Sequence, residues 1–462
     1  MRNIAKHIHF VGIGGIGMSG LARILLGFDV KVSGSDVMES KMVQELKACG
    51  ATVHIGHRAE NLADDVEILV YSSVIKENNP EYAEAERRGI KVIPRAQLLA
   101  MMMEKSTGIA VAGAHGKTST TGMLGTVFRE CGKEPSIIIG GYLPNIKANA
   151  CWGKGEYLIA EADESDGSFL LLPPKYVVVT NIENDHLDYY GTMENLISCF
   201  DKFIHNIPED GKAFLNIDSE IVNDIVKTQK GNYITYGINN ADADYVVKNI
   251  QYDSQGTVSE VYYKGEFQGK MRLWVPGEYN VSNALATFAV AHTLGIEAGD
   301  ILSGLEEFHS TGRRFEKLAE NQAGDIVLYD DYAHHPTEIK SVIGAAKKLG
   351  YKRVVAVFQP HRYSRTRILK DEFAACFDEA DVLVLNEIYS AFETPILGVD
   401  ANMLITEIKA RGREVVHYGK EAEDVIDILQ KVTQSGDLVL IMGAGNIRRK
   451  IGDPYAEILA KQ

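Results

Sequence analysis

Short apolar runs alternate with amphipathic stretches along most of the chain. Short apolar runs bounded by turn signals are typical of buried strands, and apolar residues spaced by three or four predict helices. Such helical spacing occurs in residues 80–88 and 366–378. Alternating strands and helices predict the α/β class with parallel sheets. The runs that predict strands are residues 9–11, 66–71, 109–112, 157–160, 176–180, 354–358, 382–385 and 438–442.

Residues 232–275 show a different pattern, because Gly and Asp separate their strand-like runs where helices stand elsewhere. We expect a β-rich edge or flap there. The strand and helix series is interrupted near residues 101–107 and 310–314. A chain of 462 residues is also too long for one hydrophobic core. The sequence therefore predicts three α/β domains, over residues 1–105, 106–311 and 312–462.

Composition and charge narrow the class of protein. With 45% apolar and 24% charged residues, the chain is ordinary globular protein and neither disordered nor a simple coiled coil. A net charge of −15 argues against a broad nucleic-acid or membrane surface, and no apolar stretch is long enough to predict membrane insertion. Five scattered cysteines without a CxxC pair favour neither disulfides nor zinc, and fit a cytoplasmic location. The oligomeric state stays open.

A glycine-rich turn follows the first predicted strand. Gly12, Gly14 and Gly17 form the pattern G-x-G-x-x-G at the start of a helical stretch. Glycines at these positions let backbone N–H groups at a helix N-terminus approach a pyrophosphate. Asp36, at the end of the second strand, stands where a ribose-binding carboxylate belongs. The pattern alone is compatible with NAD, with another nucleotide diphosphate, or with glycines that serve only packing.

A second glycine turn follows the strand of residues 109–112. Gly113 begins it, and Gly116-Lys117-Thr118 opens the next helix. Val111 stands where the full P-loop pattern has its first glycine. In such a loop the backbone amides surround phosphates, the lysine reaches the β and γ oxygens, and the threonine binds Mg²⁺. The segment therefore predicts an ATP phosphate site.

Polar residues follow the next two predicted strands. Glu161 comes directly after one, and Asp185 and His186 come after the other. Because the carboxyl ends of parallel strands line the ligand crevice, Glu161 is our first choice for a magnesium ligand. His186 is compatible with a second metal ion, with orienting a substrate group, or with a solvated loop.

Further polar clusters lie towards the carboxyl end. Asn280 and Asn283 precede an apolar helix, so one could cap that helix while the other reads a base, or both could serve only as caps. Two arginine groups, at 313–314 and 362–367, suit phosphate or carboxylate ligands. The segment 330–335 follows another strand, so its acids and histidines are expected at the same crevice.

Taken together, these motifs resemble those of the Mur ligases, and they run in order from residue 8 to beyond residue 440. The motifs that carry the resemblance are Gly12-x-Gly14-Gly15-x-Gly17-Met18, His115-Gly116-Lys117-Thr118, residues 161–166, residues 180–186, Asn280-x-x-Asn283-Ala284, residues 331–336 and Gln359-Pro360-His361-Arg362-Tyr363.

The resemblance implies three domains: a Rossmann-like N-terminal domain for a UDP-sugar, a P-loop-type central ATPase with a parallel sheet, and a Rossmann-like C-terminal domain. It implies an ATP-dependent ligase of peptidoglycan precursor synthesis, whose partners are ATP, UDP-N-acetylmuramate and L-alanine and whose cofactor is Mg²⁺, as two ions. Such an enzyme joins L-alanine to the lactyl carboxylate through an acyl phosphate and yields ADP and phosphate. The alternatives are a ligase that recycles a murein tripeptide, a folylpolyglutamate-type ligase and a nucleotide-gated binding module.

The resemblance also implies roles for individual residues, with Arg313 as the alternative to Arg314. The implied ATP-binding residues are Gly113, His115, Gly116, Lys117, Thr118, Ser119, Asn280, Asn283, Arg314 and Asp331. The implied UDP-sugar-binding residues are Gly14, Gly15, Gly17, Met18, Asp36, Ser72, Ser73, Tyr332, His334, Arg362 and Arg365. The implied metal ligands are Thr118, Glu161 and His186. The implied catalytic residues are Lys117, His186, His334, Arg362 and Arg365.

Overall fold

The computed structural model describes residues 4–72, 75–253 and 255–462, without the side chain of Asp188. These residues form two compact units. The first comprises the chain up to Lys248 together with residues 260–271 and 282–308. The second comprises residues 249–259, 272–281 and 309–462.

The N-terminal sheet, in the first unit, is parallel, with strand order β3-β2-β1-β4-β5 among the described residues. Its strands are β1 (His7–Val11), β2 (Lys31–Asp36), β3 (Thr52–Ile55), β4 (Ile68–Tyr71) and β5 (Lys91–Pro94). Its helices are α1 (Ile16–Gly27), α2 (Lys41–Ala48), α3 (Pro80–Arg88) and α4 (Arg95–Met103). β1 is buried along its whole length, as expected for a central strand with helices on both faces.

The central sheet has the order β15-β14-β13-β12-β11-β10-β6-β9-β7-β8 within the described ranges. Its first strands are β6 (Thr107–Ala112), β7 (Ser136–Leu143), β8 (Ala148–Cys151), β9 (Tyr157–Glu161), β10 (Tyr176–Val179) and β11 (Lys212–Asn216). The others are β12 (Tyr233–Gly237), β13 (Tyr245–Asp253), β14 (Gly256–Tyr263) and β15 (Glu266–Leu273). The helices of this region are α5 (Lys117–Glu130), α6 (Leu187–Tyr190), α7 (Met193–His205), α8 (Glu220–Thr228), α9 (Glu278–Thr293) and α10 (Ala298–Glu306).

The C-terminal sheet, in the second unit, has the order β16-β17-β21-β18-β19-β20 in the described chain, and only the β16–β17 pair is antiparallel. Its strands are β16 (Glu316–Glu320), β17 (Val327–Asp331), β18 (Arg353–Phe358), β19 (Val382–Asn386), β20 (His417–Gly419) and β21 (Asp437–Met442). Its helices are α11 (Pro336–Lys347), α12 (Tyr363–Ile368), α13 (Lys370–Ala375), α14 (Ala401–Ala410), α15 (Ala422–Val432) and α16 (Asp453–Leu459).

The fold class predicted from the sequence is confirmed, and the β-rich segment is the edge of the central sheet. One predicted helix is wrong in extent. The stretch 366–378 contributes to two short helices, α12 and α13, because Leu369 between them has φ −103° and ψ 26°, outside the helical region.

In the first unit, helix α1 packs against the central sheet as well as against its own. It contacts β7 and β8. The amide of Asn149 donates to the carbonyl of Ile16 at 2.5 Å and to the hydroxyl of Ser19 at 3.0 Å. A Cβ placed on Gly20 would lie 3.3 Å from the Cβ of Ala150, so the helix approaches β8 closely. The N-terminal and central sheets thus share one packed interior.

Among the described residues, no helix is both long enough and apolar enough to cross a bilayer.

Candidate active site

The first glycine turn connects β1 to α1. Gly12 has φ +80°, a backbone conformation that favours glycine, and its N–H donates to the carbonyl of Ser35 at 2.8 Å. Helix α1 begins after Gly15 with no side-chain cap and no acidic residue in its first turn. Its first N–H groups therefore form a site suited to an anion.

Asp36, the last residue of β2, bonds to this turn. Its Oδ2 accepts the N–H of Gly14 at 2.8 Å. The sequence predicted a ribose ligand, and the structure adds a second role, since this carboxylate holds one backbone donor of the turn. The Ser72 hydroxyl is also at the turn, 3.3 Å from where a Cβ on Gly12 would stand.

Two other residues predicted for the UDP-sugar behave differently. Met18 is only 1% exposed and packs in the core, so its side chain faces away from ligands and only its backbone can contribute. Ser73 lies outside the described residues.

The second glycine turn connects β6 to α5 and is fixed by the end of the neighbouring strand β10. Gly113 has φ +134°, and a Cβ there would lie 2.1 Å from the hydroxyl oxygen of Thr180. The side chain of Asn181 accepts the N–H of His115 at 2.9 Å and donates to its carbonyl at 3.0 Å. Our sequence reasoning assigned no role to Thr180 or Asn181, although both belong to a motif that it singled out.

Lys117 forms an ion pair inside this turn. Its Nζ lies 2.6 Å from Oε1 of Glu164 and donates to the carbonyl of Gly113 at 2.5 Å. The Glu164 side chain is 3% exposed. Burial is the largest single influence and lowers the pKa of Lys117, but the charge and hydrogen bond of Glu164, together with the charges of Glu161 and Asp163, outweigh it, so this pKa is raised and the ammonium stays protonated. A negative charge thus lies where the sequence predicts that Lys117 meets phosphate.

Two of the residues predicted to bind metal, Thr118 and Glu161, have a geometry that fits Mg²⁺. The Oγ1 of Thr118 lies 3.2 Å from Oε2 of Glu161. Two oxygens in adjacent octahedral positions at 2.0–2.1 Å from one ion would be about 3 Å apart, so this pair suits Mg²⁺. Oε2 of Glu164 is buried and has no hydrogen-bond partner among the described residues, which makes it another oxygen donor in the same turn.

His186 lies beside different carboxylates. Its Nε2 is 3.8 Å from Oε1 of Glu164 and 3.5 Å from Oδ2 of Asp185. The residue has φ +59° and precedes α6, a left-handed conformation that is uncommon outside glycine. The imidazole and the Glu164 carboxylate therefore could share a second cation close to Lys117.

The two predicted adenine-binding asparagines lie three residues apart on α9, so they share a helix face. The side chain of Asn283 meets the second turn, since its Oδ1 would be 2.5 Å from a Cβ on Gly116. Its Nδ2 is buried without a hydrogen-bond partner in the described part of the chain. Asn280 donates to the carbonyl of Pro276 at 2.8 Å and so fixes the start of the helix.

In the second unit, Arg313 and Arg314 have different surroundings. The guanidinium of Arg313 bonds to buried Asp330 at 3.2 Å and to the carbonyls of Gly443 and Gly445, so it holds strand ends together. Arg313 and Arg314 both lie over the ring of Tyr332, 5.0 Å and 5.2 Å from its centre. Arg314 differs in that it makes an ion pair with Glu338 at 3.5 Å and is not among the arginines that bond to Asp330 and the strand-end carbonyls. This difference favours Arg314 as the arginine for a ligand.

Asp331 lies at the end of β17 and is buried. It accepts the N–H groups of Phe315 and Ala333, each at 2.8 Å. Burial raises the pKa of Asp331 to about 6, although the charge of Arg314 opposes this. In this structure the carboxylate organises the backbone around the arginine predicted to bind ATP.

His334 and the arginine group form one cluster of the second unit. Burial lowers the pKa of His334 to about 3, with Glu338 opposing and Arg365 acting in the same direction. The His334 ring centre is 6.0 Å from that of His361. Burial and three nearby arginines lower the pKa of His361 to about 4. Arg362 has φ +72°, a strained conformation for a residue with a side chain. The cluster therefore combines neutral imidazoles with permanent cations, which suits an anionic substrate.

The comparisons with known proteins agree with this architecture. Residues 7–107 match the family described as Mur ligase family, catalytic domain, residues 111–291 match the Mur ligase middle domain, and residues 313–445 match the Mur ligase, glutamate ligase domain. The chain belongs to the Mur ligase family.

Individual relatives narrow the resemblance. The chain is 47% identical over 457 residues to the UDP-N-acetylmuramate--L-alanine ligase of Syntrophotalea carbinolica, covering 99% of each. It is 45% identical over 443 residues to the protein of the same name from Pelotomaculum thermopropionicum, covering 96% of this chain and 95% of the relative. Among solved structures, the UDP-N-acetylmuramate-alanine ligase of Thermotoga maritima is similar with a TM-score of 0.82 and 28% identity, covering 98% of both chains. A murein peptide ligase of Psychrobacter arcticus shares the fold, with a TM-score of 0.69 and 23% identity over 98% of both chains.

Proposed function

We propose that this protein joins L-alanine to the lactyl carboxylate of UDP-N-acetylmuramate at the expense of ATP, in peptidoglycan precursor synthesis. The observation that carries the proposal is the presence, in one packed unit, of two glycine turns with different chemistry. The first offers backbone donors to a nucleotide diphosphate, and the second adds the cation Lys117 with nearby carboxylates. Full-length identity to proteins named for this reaction supports the choice of substrates.

The reaction has two steps. The substrate carboxylate oxygen attacks the γ-phosphorus of ATP, the bond to the β,γ-bridging oxygen breaks, and ADP leaves. The α-amino group of L-alanine then attacks the carbonyl carbon of the acyl phosphate and loses a proton, and inorganic phosphate leaves as the amide forms. Because water would hydrolyse the acyl phosphate, the site needs to exclude water before the first step.

Residues of the second turn bind and orient ATP. The N–H groups that follow Gly113 would receive the phosphate oxygens, and Lys117 would exchange its pairing with Glu164 for the β and γ oxygens. Its raised pKa keeps it cationic while negative charge moves from ATP to the leaving groups. We keep His115, Gly116 and Ser119 as further ATP contacts.

Thr118 and Glu161 would hold one Mg²⁺, and His186 a second. Bound Mg²⁺ neutralises phosphate charge and orients the γ-phosphoryl group.

Further residues are proposed for each substrate. Asn280, Asn283, Arg314 and Asp331 are proposed for ATP. Tyr332, His334, Arg362 and Arg365 are proposed for the phosphate and lactyl regions of UDP-N-acetylmuramate. Since the substrates are metabolites of the cytoplasm, we also propose that the protein acts there.

The experiment that tests the function is phosphate release from Mg-ATP with UDP-N-acetylmuramate and one acceptor at a time: L-alanine, glycine, L-serine or the cell-wall tripeptide. We expect release that requires both the UDP-sugar and L-alanine. Preference for the tripeptide would identify a recycling ligase. ATP binding without release under any of these conditions would favour a nucleotide-gated binding module.

A further inference from the structure

Arg95 lies against the first glycine turn although it is distant from it in sequence. It is the first residue of α4, directly after β5 ends at Pro94. A Cβ placed on Gly17 would be 2.9 Å from Nη1 and 3.0 Å from Cδ of Arg95. The side chain of Arg95 therefore packs directly on the first turn of α1, at the third glycine of the turn.

One carboxylate offsets the positive charge at this arginine. Neither α1 nor α4 has an acidic residue in its first turn, and Arg95 itself stands in the first turn of α4. The N-terminus of a helix carries a partial positive charge, so a cation there is unfavourable unless an anion accompanies it. Asp163 supplies one, with its Oδ2 3.1 Å from Nη2.

That ion pair leaves the arginine accessible. The side chain of Arg95 is 25% exposed and that of Asp163 is 44% exposed. Only one guanidinium nitrogen hydrogen-bonds Asp163, whereas the planar fork of five donors can bind phosphate oxygens at the same time. A guanidinium that packs on the first turn of α1 adds a second group of positive charge to the N–H donors there, which suits a ligand with more than one negative charge.

We infer that Arg95 is a binding residue for the diphosphate of the nucleotide-sugar substrate. The inference rests on the proposed function for the identity of that substrate. Asp163 pairs with one nitrogen of the guanidinium that lies over Gly17. Asp163 follows β9, which ends at Glu161. The arginine therefore lies between the first glycine turn and the carboxylates near Lys117.

The test measures binding of UDP and of UDP-N-acetylmuramate by calorimetry to the full-length wild type and to Arg95→Gln, Arg95→Lys and Asp163→Asn. We expect Arg95→Gln to weaken both ligands 30- to 100-fold and Arg95→Lys to weaken them 3- to 10-fold, since lysine keeps the charge without the fork. Asp163→Asn breaks the same ion pair but retains the guanidinium, so binding should stay within about threefold. Binding of ADP should be unchanged in all three.

Arg23→Gln is the matched control, because it removes another ion pair of the first unit, between Arg23 of α1 and Glu45 of α2 at 2.8 Å. UDP binding by Arg95→Gln that equals binding by the control would overturn the inference, whatever the acceptor assay gives.

Equal losses in Arg95→Gln and Asp163→Asn, or a parallel loss of ADP binding, would show that the pair is only structural. If UDP binding falls as expected while wild type forms no ADP with UDP-N-acetylmuramate and L-alanine, only the proposed function fails. Should Arg95→Gln not fold, Arg95→Lys against Asp163→Asn still decides, because a structural role gives the larger loss to Asp163→Asn.

Discussion

The two glycine turns of the first unit share a backbone plan and differ in charge. Each turn follows a buried strand and leads into a helix. At each turn, a carboxylate at or just beyond the end of another strand bonds to a group that is predicted to contact a ligand. In the first turn Asp36 accepts a neutral backbone N–H, whereas in the second Glu164 pairs with the ammonium of Lys117. The diphosphate at the first turn does not react, so backbone donors and the proposed contact from Arg95 need only hold it in place, but a phosphoryl group that changes charge during the reaction needs a cation beside the reacting atoms. The first turn is therefore suited to binding a substrate, and the second to the phosphoryl transfer itself.

The strongest way to break this comparison is Lys117→Ala. We expect turnover to fall about a thousandfold or more, because the variant lacks the cation that follows the γ-phosphate charge. Binding of UDP-N-acetylmuramate should stay within about threefold, since the first turn is unaltered. ADP formation and calorimetry on the same preparation measure both quantities, and a joint loss would mean that the two turns do not act separately.

Alanine substitutions compare the backbone of the two turns. Gly113→Ala should lower stability by about 3 kcal/mol, because φ is +134° and the new Cβ would meet the hydroxyl of Thr180. Gly15→Ala should cost less than about 1 kcal/mol, since its nearest neighbour atom, the carbonyl oxygen of Gly12, is 3.4 Å away. Thermal unfolding measures both, and equal falls in Tm would contradict the geometry.

Glu164→Gln examines the carboxylate of the second turn. Without nucleotide, the variant should be less stable by about 2 kcal/mol, because the 18% exposed ammonium of Lys117 loses its counter-charge. ADP should stabilise the variant more than it stabilises wild type, since phosphate oxygens replace the missing charge. Unfolding with and without ADP tests this, and equal stabilisation of the two proteins would show that the phosphates do not reach Lys117.

Asp36→Asn is the corresponding change in the first turn and should have the smallest effect. An amide oxygen can still accept the N–H of Gly14, so we expect UDP-N-acetylmuramate to bind only two- to fivefold more weakly, with ADP binding unchanged. Titration of each ligand measures this. Tighter binding of the UDP-sugar would instead mean that the Asp36 carboxylate competes with the diphosphate for the turn.

Much of this could be predicted from the sequence, because local signals determine it. The apolar runs identified the strands that carry the site, and glycine spacing identified both turns. The partners of the turns were missed. Arg95 is 68 residues from Asp163, and that pair depends on how the N-terminal sheet packs against the central sheet. Glu164 is 47 residues from Lys117, and that pair depends on β6 and β9 being neighbours in the central sheet. Sheet packing and strand order are properties of the whole chain that residue spacing does not determine.

The packing of α1 against β7 and β8 has a consequence for modularity. Residues 7–107 and 111–291 match separate domain models of the Mur ligase family, which invites treating them as exchangeable parts. Yet Gly27 lies so near Trp152 that a Cβ there would be 2.7 Å from its ring, and Asn149 bonds to two groups of the helix. Excising the first segment would expose this seam to water on both sides. The nucleotide-sugar half is therefore expected to be inherited, folded and degraded together with the ATPase half, and grafting it onto another central domain would require transplanting the surface of β8 as well.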